Sequence, residues 1–355
     1  MNGTLLITGG CGFVGSSLCI LFKKKYPNLK VIAFDNLKRR GSELNIERLK
    51  SFDVDFIHGD IRNNEDFDQL GKIDFFIDAA AEPSVMAGIN ESLDYVINTN
   101  LIGTINCLNF AVQQKALFIF LSTSRVYPFQ ALDALNFSES ETRFDLNHSQ
   151  NLLGASELGI SEDFPLAGAR SFYGATKLSS ELLIAEYAEF LGLKTIINRC
   201  GVITGPWQMG KVDQGVVVLW MARHFWKKNL TYNGYGGLGK QVRDLLHVND
   251  LFALIDYQIG YSDNLSGKTL NVGGGIHSSV SLNELTRLCE KITGNKITIE
   301  SVLENRKADV RIYVTDNTQV TELTGWHPTY TVEGMLKEIY DWIYLHEEKL
   351  YKILN

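Results

Sequence analysis

Leu5-Leu6-Ile7-Thr8-Gly9-Gly10-Cys11-Gly12-Phe13-Val14-Gly15 is the stretch that decides the fold of this chain. Its first four residues are apolar and partly β-branched, which is typical of a buried parallel strand. The glycines follow the spacing Gly-x-x-Gly-x-x-Gly, and an apolar helix face begins at Ser16. Glycines let a backbone turn tightly and approach a pyrophosphate, which then lies at the positive end of the helix. The stretch therefore predicts a dinucleotide-binding turn, with cofactor contacts at Gly9, Gly12, Phe13 and Val14.

A carboxylate follows the second predicted strand, residues 31–34. Asp35 lies 20 residues beyond Gly15, where it can accept both ribose hydroxyls of NAD and would repel the extra phosphate of NADP. Arg39 and Arg40 are close in sequence and are able to hold that phosphate, so NADP remains the alternative. We expect NAD, with Asp35 and Asn36 among its contacts.

Strands and helices continue to alternate along the chain. Residues 54–60, 74–81 and 117–123 have the composition of strands, and residues 98–114 that of a long helix. This alternation predicts an α/β fold with a Rossmann-type, doubly wound parallel sheet. We expect further cofactor contacts at the ends of the third and fourth strands: Asp60, Ile61, Ala79, Ala80 and Ala81.

The same reading predicts two domains. We expect residues 1–198 to form the NAD-binding Rossmann domain, to which residues 242–275 return. Residues 199–241 and 276–355 are expected to form a smaller, C-terminal substrate-binding lobe.

Tyr173 and Lys177 form a candidate acid/base pair. Their four-residue spacing places both side chains on one face of a helix. A phenol alone is a poor base at neutral pH because its pKa is about 10, and a nearby ammonium lowers that pKa. An isolated Tyr-x-x-x-Lys match usually occurs by chance between surface residues. The dinucleotide-binding signature that precedes Tyr173 and Lys177 favours a role in proton transfer for this pair.

The composition is that of an ordinary globular protein. The chain has 355 residues, is 45% hydrophobic and 21% charged, and is long enough for a large core. A net charge of −7 argues against a nucleic-acid binder, whose surface is basic. Five scattered cysteines without a Cys-x-x-Cys pair indicate reduced thiols in the cytoplasm and predict no metal site. No apolar run reaches about 18 residues, and the N-terminus leads directly into a predicted strand, so we expect no signal peptide and no membrane partner.

Several motifs together resemble the extended short-chain dehydrogenase/reductases. They cover nearly the whole chain: the glycine turn, Asp35-Asn36-Leu37, His58-Gly59-Asp60, Ser122-Thr123 before Val126-Tyr127, and Tyr173-x-x-x-Lys177. Three more segments are similar to the CDP-paratose (CDP-tyvelose) 2-epimerases: Val212-Asp213-Gln214-Gly215, Gly239-Lys240-Gln241-Val242-Arg243-Asp244 and Arg306-Lys307-Ala308-Asp309-Val310-Arg311.

The resemblance implies a role for each residue at a matching position. Tyr173 is the acid/base residue, Lys177 holds the nicotinamide ribose, and Thr123 hydrogen-bonds the reacting hydroxyl. Asn100 lies near that hydroxyl and the cofactor. The implied substrate contacts include the diphosphate-binding arginines and an acid near the nucleoside; the whole set is Glu82, Arg125, Gln214, Gln241, Arg243, Arg306 and Asp309.

The reaction implied is NAD-dependent epimerisation of a nucleotide-diphosphate sugar, at C2 of a CDP-sugar, through a transient keto-sugar. Ser124-Arg125 follows Thr123, where the 4,6-dehydratases have an Asp-Glu pair, so dehydration lacks its acid and base. The alternatives are a 4-epimerase or reductase of the same fold, or a non-catalytic NAD-binding regulator. The resemblance also implies a homodimer.

Overall fold

The computed structural model describes residues 1–89, 92–210 and 215–354. The strands, in chain order, are Thr4–Thr8 (β1), Lys30–Asp35 (β2), Asp55–His58 (β3), Phe75–Asp78 (β4), Leu117–Thr123 (β5), Phe137–Glu139 (β6), Phe144–Leu146 (β7), Ala155–Ser156 (β8), Gly159–Ile160 (β9), Thr195–Cys200 (β10), Val202–Thr204 (β11), Leu230–Asn233 (β12), Val242–His247 (β13), Lys268–Val272 (β14), Ser279–Ser281 (β15), Ile299–Val302 (β16) and Ile312–Tyr313 (β17).

The helices, in chain order, are Phe13–Lys25 (α1), Leu44–Ser51 (α2), Asp94–Ile97 (α3), Gly103–Gln114 (α4), Phe129–Asp133 (α5), Phe172–Leu191 (α6), Val216–Phe225 (α7), Val248–Gly260 (α8), Ser262–Leu265 (α9), Leu282–Thr293 (α10), Thr318–Thr324 (α11), Val332–Leu345 (α12) and Glu347–Leu354 (α13). The helices alternate with the strands up to α5, and four short strands, β6 to β9, then follow one another before α6. A π-helical turn, Asn98–Ile102, joins α3 to α4.

The large sheet has the strand order β14-β10-β5-β4-β1-β2-β3. β1 pairs in parallel with β2 on one side and with β4 on the other, so the winding direction reverses beside β1. Ligands of such sheets bind at the carboxyl ends of the strands next to this reversal. The carboxyl ends of β1, β2 and β4 lead into Gly9, Asp35 and Ala79. The predicted α/β fold with a Rossmann-type parallel sheet is confirmed.

The chain divides into two compact units. The first comprises residues 1–126, 171–199 and 251–270. All seven residues of β5 are buried, as expected for a parallel strand covered by helices on both faces. The core of this first unit is rich in phenylalanine, with edge-to-face and stacked rings among Phe34, Phe67, Phe76, Phe110 and Phe118.

The second unit comprises residues 127–170, 200–250 and 271–355. It contains a smaller mixed sheet in which β13 pairs in parallel with β11 and β17 and antiparallel with β15. The sheet residues Val242, Ile312 and Val314 pack with Phe144 in a buried cluster.

The boundaries of these units differ from the predicted domains at two places. Residues 127–170 were assigned to the Rossmann domain, but their short strands pair with one another (β6 with β7, β8 with β9) and they pack with the second unit. Residues 242–275 were expected to return to the Rossmann domain, but only residues 251–270 do so, and the hydrogen bonds of β13 join the smaller sheet.

Two element boundaries also differ from the sequence-based expectation. The fourth strand ends at Asp78, so Ala79, Ala80 and Ala81 form the loop that follows it. The helix expected over residues 98–114 is regular only from Gly103. Within the described ranges, no helix combines the length and the hydropathy that a membrane crossing requires.

Candidate active site

The glycine turn after β1 is closely packed against its surroundings. Gly9 has φ +63°, and a Cβ on it would lie 2.8 Å from the carbonyl oxygen of Ala79. A Cβ on Gly15 would lie 2.2 Å from the carbonyl oxygen of Gly9. The Gly12 N–H donates to that same carbonyl at 2.9 Å. The absence of these side chains leaves the amino end of α1 uncovered at Phe13 and Val14, and such a helix end attracts a pyrophosphate. The turn therefore fits a dinucleotide.

Asp35 is fixed beside this turn by the backbone. Its carboxylate accepts the N–H groups of Leu37 at 2.7 Å and Cys11 at 3.0 Å. Burial raises the pKa of Asp35, and the two N–H groups lower it. The Cys11 contact connects the end of β2 to the glycine turn. Asp35 and the glycine turn, both predicted to contact the cofactor, are therefore held next to each other.

Asp60 and Asn36 are also brought together. The Asn36 amide donates to the Asp60 carboxylate at 2.9 Å, and the Arg62 guanidinium binds the same carboxylate at 2.6 Å. Burial alone would raise the pKa of Asp60, but Arg62 and Asn36 lower it to about 2. Asp60 is thus an ionised acceptor at neutral pH. Ile61, beside it, is buried.

Asp78, at the end of β4, supports the loop that contains Ala79, Ala80 and Ala81. Its side chain is fully buried and accepts the hydroxyls of Thr8 at 2.7 Å and Thr104 at 3.1 Å, and the Ala80 N–H at 3.3 Å. These bonds join β1, β4 and α4 below the glycine turn. Sequence reasoning missed this residue, although a carboxylate at the end of an apolar strand was a visible signal.

Asn100 occupies the π-helical turn and is fully buried. Its side-chain oxygen accepts the Glu82 N–H at 2.8 Å, and its amide donates to the Glu82 carbonyl at 3.1 Å and to the Thr176 hydroxyl at 3.2 Å. Asn100 therefore ties the loop after β4 to α6. The carboxylate of Glu82, a predicted substrate contact, accepts the Ser84 N–H at 3.1 Å.

Tyr173 and Lys177 lie on α6, as their spacing predicts. Ser171 caps this helix by accepting the Gly174 N–H at 3.2 Å, which fixes where the helix begins. Tyr173 is partly exposed, whereas Lys177 is 1% exposed and its Nζ lies 3.8 Å from the ring centroid of Phe120 on β5. A buried ammonium acts more strongly on its neighbours than an exposed one does, because water screens it less.

Thr123 is the last residue of β5 and is buried. Its hydroxyl oxygen accepts the N–H of Arg125, which lies in the short helical turn that follows. This bond orients the hydroxyl and leaves its proton able to donate to another acceptor. The predicted catalytic residues all belong to the first unit.

Four other predicted substrate contacts belong to the second unit. The Arg243 guanidinium donates to the Asp309 carboxylate at 3.0 Å and to the Val310 carbonyl at 2.6 Å. The Arg306 carbonyl accepts the Asp309 N–H at 3.3 Å, and the Gln241 amide donates to the Asn233 carbonyl at 2.5 Å. The structure brings Arg243 and Asp309 together as one ion pair. Gln214 lies outside the described residues.

A second cluster missed by the sequence analysis consists of Ser122, Glu181 and Arg199. Arg199 and Glu181 form an ion pair with side chains 8% and 5% exposed, and Ser122 donates a hydrogen bond to the same carboxylate. The signal was present in the sequence, because Glu181 follows Lys177 by four residues and so lies on the same helix face.

Comparison with known proteins agrees with this geometry. The profile of the NAD dependent epimerase/dehydratase family matches residues 5–273. A CDP-paratose 2-epimerase of Salmonella typhi is 32% identical over 348 residues, which cover 95% of this chain and 98% of that one. The crystal structure of a UDP-glucuronic acid 4-epimerase from Bacillus cereus, in complex with UDP-glucuronic acid and NAD, is 25% identical with a TM-score of 0.78, covering 96% of this chain and 99% of that one.

A third comparison concerns the fold alone. The structure of a dTDP-glucose 4,6-dehydratase from Bacillus anthracis, in complex with NAD, has a TM-score of 0.77 at 24% identity, covering 99% of this chain and all of that one. The family match and the more similar relatives confirm NAD as the cofactor and an enzyme that acts on nucleotide sugars. The chain belongs to the NAD dependent epimerase/dehydratase family, within the extended short-chain dehydrogenase/reductases.

Proposed function

We propose that this protein inverts C2 of a CDP-linked sugar of the CDP-paratose and CDP-tyvelose type. The observation that carries the proposal is the similarity to the Salmonella typhi CDP-paratose 2-epimerase, which extends over 95% of the chain. The placement of Tyr173, Lys177 and Thr123 in the first unit supports the chemistry, and the Arg243–Asp309 pair in the second supports nucleotide recognition.

The chemistry starts with a proton transfer. Thr123 holds a sugar hydroxyl by a hydrogen bond, and the Tyr173 phenolate accepts the proton of that hydroxyl. When bound, NAD supplies a reversible hydride acceptor. Loss of a proton from oxygen and a hydride from carbon converts the alcohol to a ketone. The keto-sugar turns over, hydride returns to its opposite face, and Tyr173 gives the proton back, so the reaction is an epimerisation without net redox change.

Lys177 and Asn100 support this cycle in different ways. The buried Lys177 ammonium stabilises the phenolate form of Tyr173 by charge and would donate to the ribose of NAD when the cofactor is bound. Asn100 holds the Glu82 backbone and α6 together through its three hydrogen bonds. We assign Asn100 to the support of the cofactor and Glu82 to contact with the substrate.

Recognition of the nucleotide diphosphate is assigned to the second unit. Arginine suits a diphosphate because its planar fork can donate to two phosphate oxygens at once. Asp309 holds the Arg243 guanidinium in one orientation, at 3.0 Å. Arg306, Gln241 and Gln214 complete the proposed set in this unit, and Arg125 in the first unit is assigned to the sugar.

Epimerisation is favoured over dehydration by the residues that follow Thr123. Removal of water from a keto-sugar needs an acid and a base of its own. Ser124-Arg125 stands where the dehydratases have an acidic pair, and a serine and an arginine do not supply those two functions at neutral pH.

Proton NMR of the product identifies the reacting carbon. Incubation in D2O with CDP-, UDP- and GDP-sugars should give inversion at C2 of a CDP-sugar, without net NADH and without deuterium at C2, because the hydride returns to the carbon it left. Inversion at C4 would replace this proposal with a 4-epimerase. Net NADH would replace it with a reductase of the same fold working in its oxidative direction and releasing NADH. Deuterium at C2 would refute hydride transfer.

Tyr173→Phe tests the assignment of the base. We expect turnover to fall by about 10²–10⁴-fold, the usual worth of a positioned acid/base group, with NAD still bound. Tyr187→Phe is the matched control, because Tyr187 lies on the same helix and its hydroxyl donates to Asn109 at 2.7 Å. Near wild-type turnover by the Tyr173 variant would overturn the mechanism.

The proposal includes a homodimer in the cytoplasm. Helix α6 exposes large apolar side chains, with Leu182 64% and Phe190 76% exposed, and Ile102 beside α4 is 41% exposed. Apolar side chains clustered on helices of one unit are typical of a protein interface. The five cysteines are free thiols, which agrees with a reducing compartment.

A further inference from the structure

Glu181 extends the face of α6 that contains Tyr173 and Lys177. It follows Lys177 by one helical turn. Nε of Arg199 donates to both oxygens of its carboxylate, at 3.2 and 3.0 Å, and a terminal nitrogen donates to one of them at 2.8 Å. Arg199 lies on β10, which neighbours β5 in the sheet. This two-point contact fixes the rotation of the carboxylate as well as its position.

The same carboxylate accepts a hydrogen bond from Ser122, the residue before Thr123. Ser122 and Phe120 share one face of β5 because side chains alternate along a strand. Glu181 therefore contacts this face at Ser122, and Lys177 contacts it at Phe120. Lys177 and Glu181, four positions apart on α6, thus both contact β5.

Stability alone does not account for this ion pair. Burying a carboxylate and a guanidinium costs several kcal/mol each in desolvation, and apolar residues of similar volume often stabilise a fold equally well or better. What an ion pair adds is a defined geometry. The geometry concerned is the position of α6, and with it Lys177, relative to the end of β5.

The pair also controls the charge next to Lys177. The charged or titratable groups placed around that ammonium are Tyr173 and Glu181, one helical turn before and after it on α6, and Cys107 of α4 with Asp78 of β4. Burial raises the pKa of Cys107, Asp78 raises it and Lys177 lowers it, which places both charges near this thiol. With Arg199 in place, the negative charge of Glu181 is balanced by the guanidinium. Without it, a bare carboxylate one turn away would attract the Lys177 ammonium and weaken its effect on Tyr173.

We propose that Glu181 and Arg199 are positioning residues that hold Lys177, and through Ser122 hold Thr123, in the arrangement that the reaction needs. This inference rests on the proposed function only for the roles of Tyr173, Lys177 and Thr123. It requires no particular sugar or nucleotide.

The test is the titration of Tyr173, followed by tyrosinate absorbance as the difference between each variant and the same variant with Tyr173→Phe. Arg199→Gln should move the midpoint upward by about one pH unit, because Glu181 is left unpaired, and lower turnover at neutral pH about tenfold. Glu181→Gln should move it downward, because the carboxylate of Glu181 no longer balances the positive charge of Arg199. The double variant should return close to the wild-type midpoint.

The control is Arg143→Gln in the second unit, which breaks a more exposed ion pair with Glu284. It should lower the melting temperature without moving the Tyr173 midpoint. An unchanged midpoint in the folded Arg199 and Glu181 variants would overturn the proposal. If the Arg199 variant does not fold, the Glu181 variant decides by the same criterion. Since this titration needs no substrate, failure of the proposed sugar specificity would leave its outcome unaffected.

Discussion

Gly15→Ala is expected to weaken NAD binding although it replaces glycine by a better helix former. Gly15 is buried in the first turn of α1. In a helix, alanine is favoured over glycine by about 1 kcal/mol. The added Cβ, however, would lie 2.2 Å from the Gly9 carbonyl oxygen, 2.8 Å from its carbon and 2.9 Å from the Gly10 Cα. All three atoms belong to the backbone, so no side-chain rotation relieves the overlap.

The size of the effect follows from where the turn can move. Ordinary contact requires a displacement of about 1 Å, and overpacking of this kind costs about 1–3 kcal/mol. Gly9 is blocked on its other side, because its own Cβ position is 2.8 Å from the Ala79 carbonyl. Displacement also disturbs the bond between the Gly12 N–H and the Gly9 carbonyl. A net loss of about 2 kcal/mol at the cofactor corresponds to about a 30-fold increase in the NAD dissociation constant.

The assay is calorimetric titration of the cofactor-free protein with NAD, together with its melting temperature. Gly260→Ala is the matched control: Gly260 ends α8, and an added Cβ there meets no atom within 4 Å. We expect Gly260→Ala to bind NAD as the wild type does. Equal NAD affinity in both variants, within twofold, would refute the claim that backbone contact at Gly15 shapes the cofactor site.

Two further predictions concern stability and assembly. Burial lowers the pKa of His247 to about 4 although Asp250 opposes the shift. In the neutral ring Nδ1 accepts the Asn249 N–H at 3.2 Å, and Nε2 lies 3.1 Å from a carboxylate oxygen of Glu338. Between these pH values the imidazole is protonated in the unfolded chain but not in the folded one. The free energy of unfolding therefore falls as the pH drops from about 6.5 towards 4. By pH 5 the free energy of unfolding should have fallen by about 2 kcal/mol relative to the His247→Phe variant, as measured by urea unfolding. This variant is the control because its ring can still stack on Tyr330. An equal pH dependence in both proteins would contradict the prediction. Leu182→Glu should convert the proposed dimer to a monomer in light scattering, whereas Leu345→Glu, at a 74% exposed position on α12, should not; a monomeric wild type would remove the dimer from the proposal.

The sequence predicted those parts of the site that depend on local geometry. The glycine turn was readable because only residues without a Cβ fit where Gly9 and Gly15 approach neighbouring backbone. Asp35 was readable because it ends an apolar strand at the spacing a dinucleotide needs. The Tyr173–Lys177 pair was readable because helical periodicity alone places two residues four apart on one face.

The contacts between distant elements were not readable in this way. Asn100 and Thr176 are 76 residues apart, and Arg243 and Asp309 are 66 apart. The Arg199–Glu181 pair depends on how α6 packs beside β10. Each of these distances is set by the packing of separate elements, and no local pattern specifies it.

Domain membership shows the same division. The composition of residues 127–170 does not predict which unit they join, because short strands such as β6 and β8 are defined by their pairing partners. The sequence by itself determined a parallel sheet, a dinucleotide turn and a tyrosine–lysine pair, since these follow from backbone sterics and periodicity. Only the tertiary structure decided which unit each segment joins and that Glu181, Arg199 and Ser122 meet beside the pair, since such contacts exist only once the helices have packed on the sheet.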